Sequence, residues 1–161
     1  MLTTVLNLDD QVDQLVEVIR RSHLTVAKEF NITEQNAHCN PAFIKKNVLL
    51  EKAREKEIEF FGYYEENKLV GCYALENAEN GVYYLERLSV LPEERHRGLG
   101  EKLVWDSFKR VKHKGGVKVS IAIINEHTVL KEWYKAMGFI ETGIKTFPHL
   151  PFDVCFLEYK L

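Results

Sequence analysis

Apolar positions along the chain change their period several times, and each change marks an element. Residues 2–8 (LTTVLNL) read as a short strand. After them Asp9 or Asp10 can cap a helix, on which Val12, Leu15, Val16, Ile19 and His23 fall on one face. Residues 30–40 (FNITEQNAHCN) are polar and loop-like. Asn40-Pro41 sets an N-cap residue before proline at the first helical position, and predicts a second helix to about Lys56 with Ile44, Val48 and the neighbouring leucines inside. EIEFFGYYEE and KLVGCYALE are β-rich runs parted by a hairpin turn at Glu65-Glu66-Asn67. Asn80-Gly81 is a further turn before VYYLERLSV, a strand that ends at Leu91-Pro92. Gly98 to Lys114 is helical, with Leu99, Leu103, Val104, Phe108 and Val111 as its buried stripe, a basic last turn and Gly115-Gly116 as its stop. VKVSIAII is a continuous apolar strand. Val129, Leu130, Trp133, Tyr134 and Met137 mark a helix closed by Gly138, and FIETGIKTF and FDVCFLEYKL are two last strands joined through Pro148 and Pro151. The order β-α-α-β-β-β-α-β-α-β-β predicts an α/β protein with a mixed sheet. Residues 82–123 form a right-handed crossover if their two strands are parallel neighbours.

Composition narrows the class. The 161 residues contain no repeat and no linker, so residues 1–161 are expected to form a single domain. A chain of this length buries about 70% of its unfolded surface and needs no disulfide or metal staple. Aromatic residues at 11% and a net charge of −2 argue against disorder and against a protein built for non-specific nucleic-acid contacts. No uncharged run approaches the ~20 residues that cross a bilayer. The first ten residues lack a basic region and meet two aspartates, unlike a signal peptide. Cys39, Cys72 and Cys155 are odd in number and without CxxC, which fits three buried or half-buried thiols in a reducing, cytoplasmic setting.

The chemistry concentrates at Arg95-His96-Arg97-Gly98-Leu99-Gly100, between a strand and a long helix. Two glycines let the backbone approach a ligand, and the first N–H groups of the helix lack intrahelical partners, so this turn is an anion site with basic side chains beside it. It is neither G-x-G-x-x-G nor a P-loop. A tight strand-to-helix turn with solvated arginines is the structural alternative.

The run Leu88-Ser89-Val90-Leu91-Pro92-Glu93-Glu94-Arg95-His96-Arg97-Gly98-Leu99-Gly100 resembles the signature of the GCN5-related N-acetyltransferases, R/Q-x-x-G-x-G/A after a strand ending in hydrophobic-x-Val-x-Pro. Trp133-Tyr134-Lys135-Ala136-Met137-Gly138-Phe139 is similar to that family's Y-x-x-x-G-F segment, in the right order and with a helix and a strand between. The resemblance extends to the element order of nearly the whole chain. It implies a mixed, mostly antiparallel sheet of six to seven strands flanked by about four helices. It also implies acetyl-CoA as acyl donor and transfer to a primary amine of a small molecule or peptide by direct attack in a ternary complex. The pyrophosphate loop maps onto Arg95, His96, Arg97, Gly98, Leu99 and Gly100, and the pantetheine-pairing strand onto the backbone of Leu88, Ser89 and Val90. The Leu88 N–H would meet the thioester carbonyl, where such a donor stabilises an oxyanion. Tyr134 maps onto the general acid that protonates the departing thiolate.

The general base is open between Glu86, Tyr84 and ordered water. Glu86 lies two residues before Leu88, so strand alternation would face both to the cleft. Where the family often has Asn and Ala before the tyrosine, this chain has His127 and Leu130. Asn125 either reaches the pantetheine or caps the following helix. For the acceptor, His38, Phe43, Tyr84, His149, Leu150 and Phe152 are candidates, with His149 in an unusual Phe-Pro-His-Leu-Pro-Phe run. No ligand spacing supports a metal. Neither nucleic acid nor membrane is an expected partner, and a homodimer through the final strands is the family analogy. A non-catalytic acetyl-CoA sensor and a different phosphate-ligand binder are the competing readings.

Overall fold

A computed structural model describes residues 3–161, so Leu2 of the first expected strand lies outside the described residues. Thr4–Val5 is β1. The strand is shorter than expected because Asn7 turns the chain: its Oδ1 accepts from the Asp9 N–H at 3.1 Å, and α1 (Leu8–Glu29) starts there. Asp9 and Asp10 therefore sit in the first turn, where negative charge suits the helix dipole, and neither is the cap.

Asn40 does cap, accepting from the Ala42 N–H at 2.9 Å, but it starts only a single 3₁₀ turn, Pro41–Phe43. Ile44 and Lys45 are extended, and α2 begins anew at Lys46–Glu55. The break has a packing reason. Ala42 docks with Ala27, Ile32 and Ala37 in a small separate cluster, whereas Leu49 and Ala53 of α2 join the main core. Cys72 and Cys155 are buried as expected, but Cys39 in the intervening loop is exposed.

The remaining elements follow the sequence pattern closely: β2 (Glu59–Glu65), β3 (Lys68–Asn77), β4 (Val82–Val90), a 3₁₀ turn at Pro92–Glu94, α3 (Leu99–His113), β5 (Lys118–Ile124), α4 (Thr128–Ala136), β6 (Ile140–Thr146) and β7 (Asp153–Lys160). Among the described residues seven strands lie in the order β1-β2-β3-β4-β5-β7-β6, and only β4 and β5 are parallel. The mixed, mostly antiparallel sheet with four α-helices is the expected fold class. Val12, Leu15 and Ile19 of α1, Leu49 and Ala53 of α2 and Leu103, Val104, Phe108 and Val111 of α3 are among the helix residues buried in one core cluster.

On the α3 face the Asp106 carboxylate fastens three elements. It accepts from the Tyr73 hydroxyl at 2.5 Å, from the Thr3 hydroxyl and from Arg110 Nε at 3.1 Å. Arg110 also reaches the Thr3 carbonyl at 2.8 Å and stacks 4.3 Å over Phe61. Burial by itself would raise the Asp106 pKa, but the bonds from Thr3, Tyr73 and Arg110 outweigh it and hold the carboxyl below its ordinary value. Asp106→Ala should cost about 2–3 kcal/mol, since it strands three donors. A carboxylate with a depressed folded pKa contributes its stability above the unfolded pKa and loses it as pH falls through the folded one. The wild type minus Asp106→Ala difference in urea midpoint should therefore shrink only in strong acid.

Candidate active site

Two irregularities in β4 make the site. The strand pairs with β5 only at Val82↔Lys118, Tyr83↔Val119 and Tyr84↔Ser120. Beyond Tyr84 the two strands part, while β5 continues fully paired with β7. On its other side β4 carries an extra residue: Ala74 and Cys72 of β3 lie opposite Glu86 and Ser89. Arg87 absorbs the excess with φ of 50°, a left-handed backbone rare outside glycine. Bulges bend the strand that holds them, which accounts for the parting. Between the strands opens a cleft of about 1850 Å³.

The cleft-facing edge of β4 is set by backbone alternation. The Leu91 N–H donates to Val70 of β3 at 2.9 Å, so the Val90 N–H points away from β3. It donates to Ser22 Oγ of α1 at 3.2 Å. Counting back from Val90 through the Cys72↔Ser89 pair, where regular register resumes, sets the Leu88 N–H on the same side. Ser89 faces elsewhere: its side chain is buried, and its hydroxyl donates to the Arg87 carbonyl at 2.9 Å. Glu86 and Leu88 both line the cleft, yet simple alternation does not put them there. The bulge leaves Glu86 and Ser89 on one face of the strand, with Leu88 on the other.

The N-terminus of α3 borders the same cleft. Gly98 precedes the helix with φ of 73°, and a Cβ there would meet nothing within 4 Å. At Gly100 a Cβ would only come into ordinary contact, 3.6 Å from Trp133 of α4. His96, Gly98, Leu99 and Gly100 line the cleft, though the Leu99 side chain is core. The basic side chains are less available than their spacing suggests. Arg97 turns away from the cleft to a bidentate pair with Glu65, at 3.0 and 3.2 Å, and to Glu94. Arg95 lines the cleft but folds back on α1, donating to the Ser22 carbonyl at 2.7 Å and to Thr25 Oγ1 at 3.0 Å.

Tyr134 on α4 is 5% exposed, packed edge-on to Trp133 and Phe139, and lines the cleft. Burial pushes its pKa well above the usual phenol value, so it stays protonated. Asn125 does not cap α4. His127 does, its Nδ1 accepting from the Leu130 N–H, while Asn125 Oδ1 accepts from Lys131 Nζ at 2.6 Å and lies off the cleft lining.

Of the acceptor candidates, His38, Phe43, Tyr84 and Phe152 line the cleft. His149 does not: it is exposed beside Phe147, and Leu150 packs into the small cluster around Ala27 and Ala42. Sequence reasoning passed over Ser22, Arg87 and His23. The pattern gave His23 only a place on a helical face; that Ser22 meets β4 and that Arg87 is a bulge are long-range facts. His23 lines the cleft, and its Nε2 is buried with no partner among the described residues. Burial first, then the charges of Arg87 and Arg95, pull its pKa down to about 4, so the ring is neutral at physiological pH. No group of three or more His, Cys, Asp or Glu is arranged to hold a metal among the described residues.

Parted parallel strands, a glycine-led helix N-terminus and a buried phenol define an acyltransferase-type site. The chain belongs to the GNAT acetyltransferase family, whose model matches residues 20–139. As such it takes acetyl-CoA as acyl donor. Solved structures share the fold. PaiA N-acetyltransferase of Thermoplasma acidophilum, in complex with coenzyme A, aligns over 100% of both chains at 22% identity and a TM-score of 0.73. A GNAT acetyltransferase of Elizabethkingia anophelis with acetyl-CoA bound covers 71% of this chain and 82% of its own, at 20% identity and a TM-score of 0.62. The ribosomal-protein-S18-alanine N-acetyltransferase of Escherichia coli covers 99% and 92%, at 14% identity and a TM-score of 0.75. Comparison with curated proteins gives no match. The residues present suit the donor: the edge of β4 can pair with an amide-bearing arm at Leu88 and, once Ser22 Oγ gives way, at Val90, and the amides opening α3 suit a pyrophosphate.

Proposed function

We propose that residues 1–161 act as one domain that moves an acetyl group from acetyl-CoA to a primary amine of a small molecule or peptide, by direct attack with both substrates bound. The observation that carries this reading is the Tyr134 phenol, buried against the cleft between β4 and α4. The donor supplies a thioester-activated acetyl group. Leu88 offers its N–H toward charge that develops on a carbonyl oxygen, as a preorganised donor. The amides of Leu99 and Gly100, with the positive end of α3, hold phosphate charge. Ser22 and Arg95 are contacts that an incoming pantetheine arm must replace along β4. Glu86 takes a proton from the acceptor's ammonium so that the free amine attacks the thioester carbonyl; Tyr134 then gives a proton to the leaving sulfur and is restored by the proton that the new amide nitrogen sheds. The carboxylate of Glu86 is 2.6 Å from Arg87 Nη1 and remains partly open to the cleft.

Glu86→Gln should lower the rate at neutral pH about a hundredfold, and the deficit should narrow at alkaline pH as free amine accumulates. Initial-rate thiol release over an amine panel, measured across pH, reads this out. An unchanged rate would pass the base role to Tyr84 or to ordered water. A homodimer joined at the exposed edge of β6 belongs to the same reading, and sedimentation measures it. So does a cytoplasmic setting: Cys39, Cys72 and Cys155 are free thiols, and no helix among the described residues is long and apolar enough to cross a membrane.

A further inference from the structure

The α1 side of the cleft holds groups that binding of the acyl donor does not use. His23 lines it, and the Nε2 of that ring is buried without a partner among the described residues. Proteins seldom leave such an atom without a partner, so a bound group or an ordered water belongs there. Arg87 lines the same cleft, near enough for its charge to act on the His23 ring. Its side chain is nearly buried, its guanidinium sits 5.9 Å over the Phe60 ring, and its one polar partner among the described residues is Glu86. The bulge backbone of Arg87 is the unusual conformation that delivers this cation to the strand edge.

Each group has a distinct recognition chemistry. A guanidinium with spare donors binds a carboxylate, and a neutral imidazole protonated at Nε2 adds one more donor. Glu86, 2.6 Å from Arg87, suits an ammonium. A fixed cation and a carboxylate this close fit a ligand whose own ammonium and carboxylate are separated by very few bonds. A polycation suits the site less well: of the other acidic residues lining the cleft, Glu34 is paired with Lys45 at 3.7 Å and Glu158 with Lys118 at 2.9 Å.

We propose that Arg87 and His23 form a subsite for a carboxylate carried next to the acceptor's amine, which makes the acceptor a free amino acid. This rests on the reading of Glu86 as the group that meets the amine. Binding of the amino acid exchanges the Glu86–Arg87 contact for two intermolecular ones.

The test has a turnover arm and a binding arm. Thiol release is measured for the twenty standard amino acids, for the same compounds as C-terminal amides and for a linear polyamine. Protein saturated with coenzyme A is then titrated calorimetrically with the best amino acid and its amide. At least one amino acid should exceed its amide by about tenfold or more in kcat/KM, the expected effect of one charge-assisted contact. His23→Leu and Arg87→Gln should each raise KM for that amino acid about tenfold, with kcat changed far less, and His23→Gln, which keeps a donor, should recover part of the loss. Unchanged acetyl-CoA affinity certifies that each variant is folded. Saturable binding of an amino acid without turnover would support the subsite and defeat the proposed transfer. Equal turnover of amino acid and amide, or no saturable binding of any amino acid, would overturn the subsite whatever becomes of the transfer reading.

Discussion

Tyr134→Phe should reduce kcat by about a hundred- to a thousandfold while leaving the acetyl-CoA dissociation constant unchanged. The substitution removes one oxygen from a ring held by Trp133 and Phe139, so the packing of α4 persists. Only the proton donor is lost, and a thiolate must leave unassisted. Burial keeps the phenol protonated far into the alkaline range. The wild-type rate should accordingly rise with pH as the amine loses its proton, with no descending limb near the ordinary tyrosine value of about 10. An alkaline limb there that Tyr134→Phe abolishes would mean the phenol titrates normally. A variant with full kcat would remove Tyr134 from the chemistry.

Gly98→Asp should weaken acetyl-CoA binding about tenfold to a hundredfold without unfolding the protein. Three features make the change selective. A Cβ at Gly98 meets nothing within 4 Å. Aspartate tolerates the left-handed backbone better than most residues, and it is a favoured helix N-cap. Its carboxylate nevertheless stands where the start of α3 would hold pyrophosphate, and like charges repel. Calorimetric titration with acetyl-CoA, beside a circular-dichroism melt, separates lost binding from lost structure. Unaltered affinity would take the phosphate site away from this turn.

The helices and most strands were legible in the sequence because their signals are local. The α3 stripe of Leu103, Val104, Phe108 and Val111, and the glycines around it, set that helix almost to the residue. Where local signals compete, tertiary packing decided. Asn40-Pro41 is a sound helix start, yet Ala42 is drawn into a different cluster from Leu49 and the helix breaks between them. At the site, residues carried by a motif, Tyr134, Leu88, Gly98 and Gly100, all reach the cleft. Those inferred from charge or turn chemistry fared differently. Arg97 is engaged by Glu65 across 32 positions, Asn125 by Lys131, and His149 stands outside. Arg87 and His23 were not legible, since a bulge is a register fact between two strands and an unpartnered nitrogen depends on everything packed around it.

Backbone amide exchange in the presence and absence of coenzyme A tests most directly whether the parted edge of β4 and the start of α3 hold the donor. Exchange is expected to slow at Leu88 and at Leu99 through Glu101, with the amides of β2 unaffected. Binding that leaves those amides exchanging as before, or a folded protein that binds no coenzyme A, would contradict it.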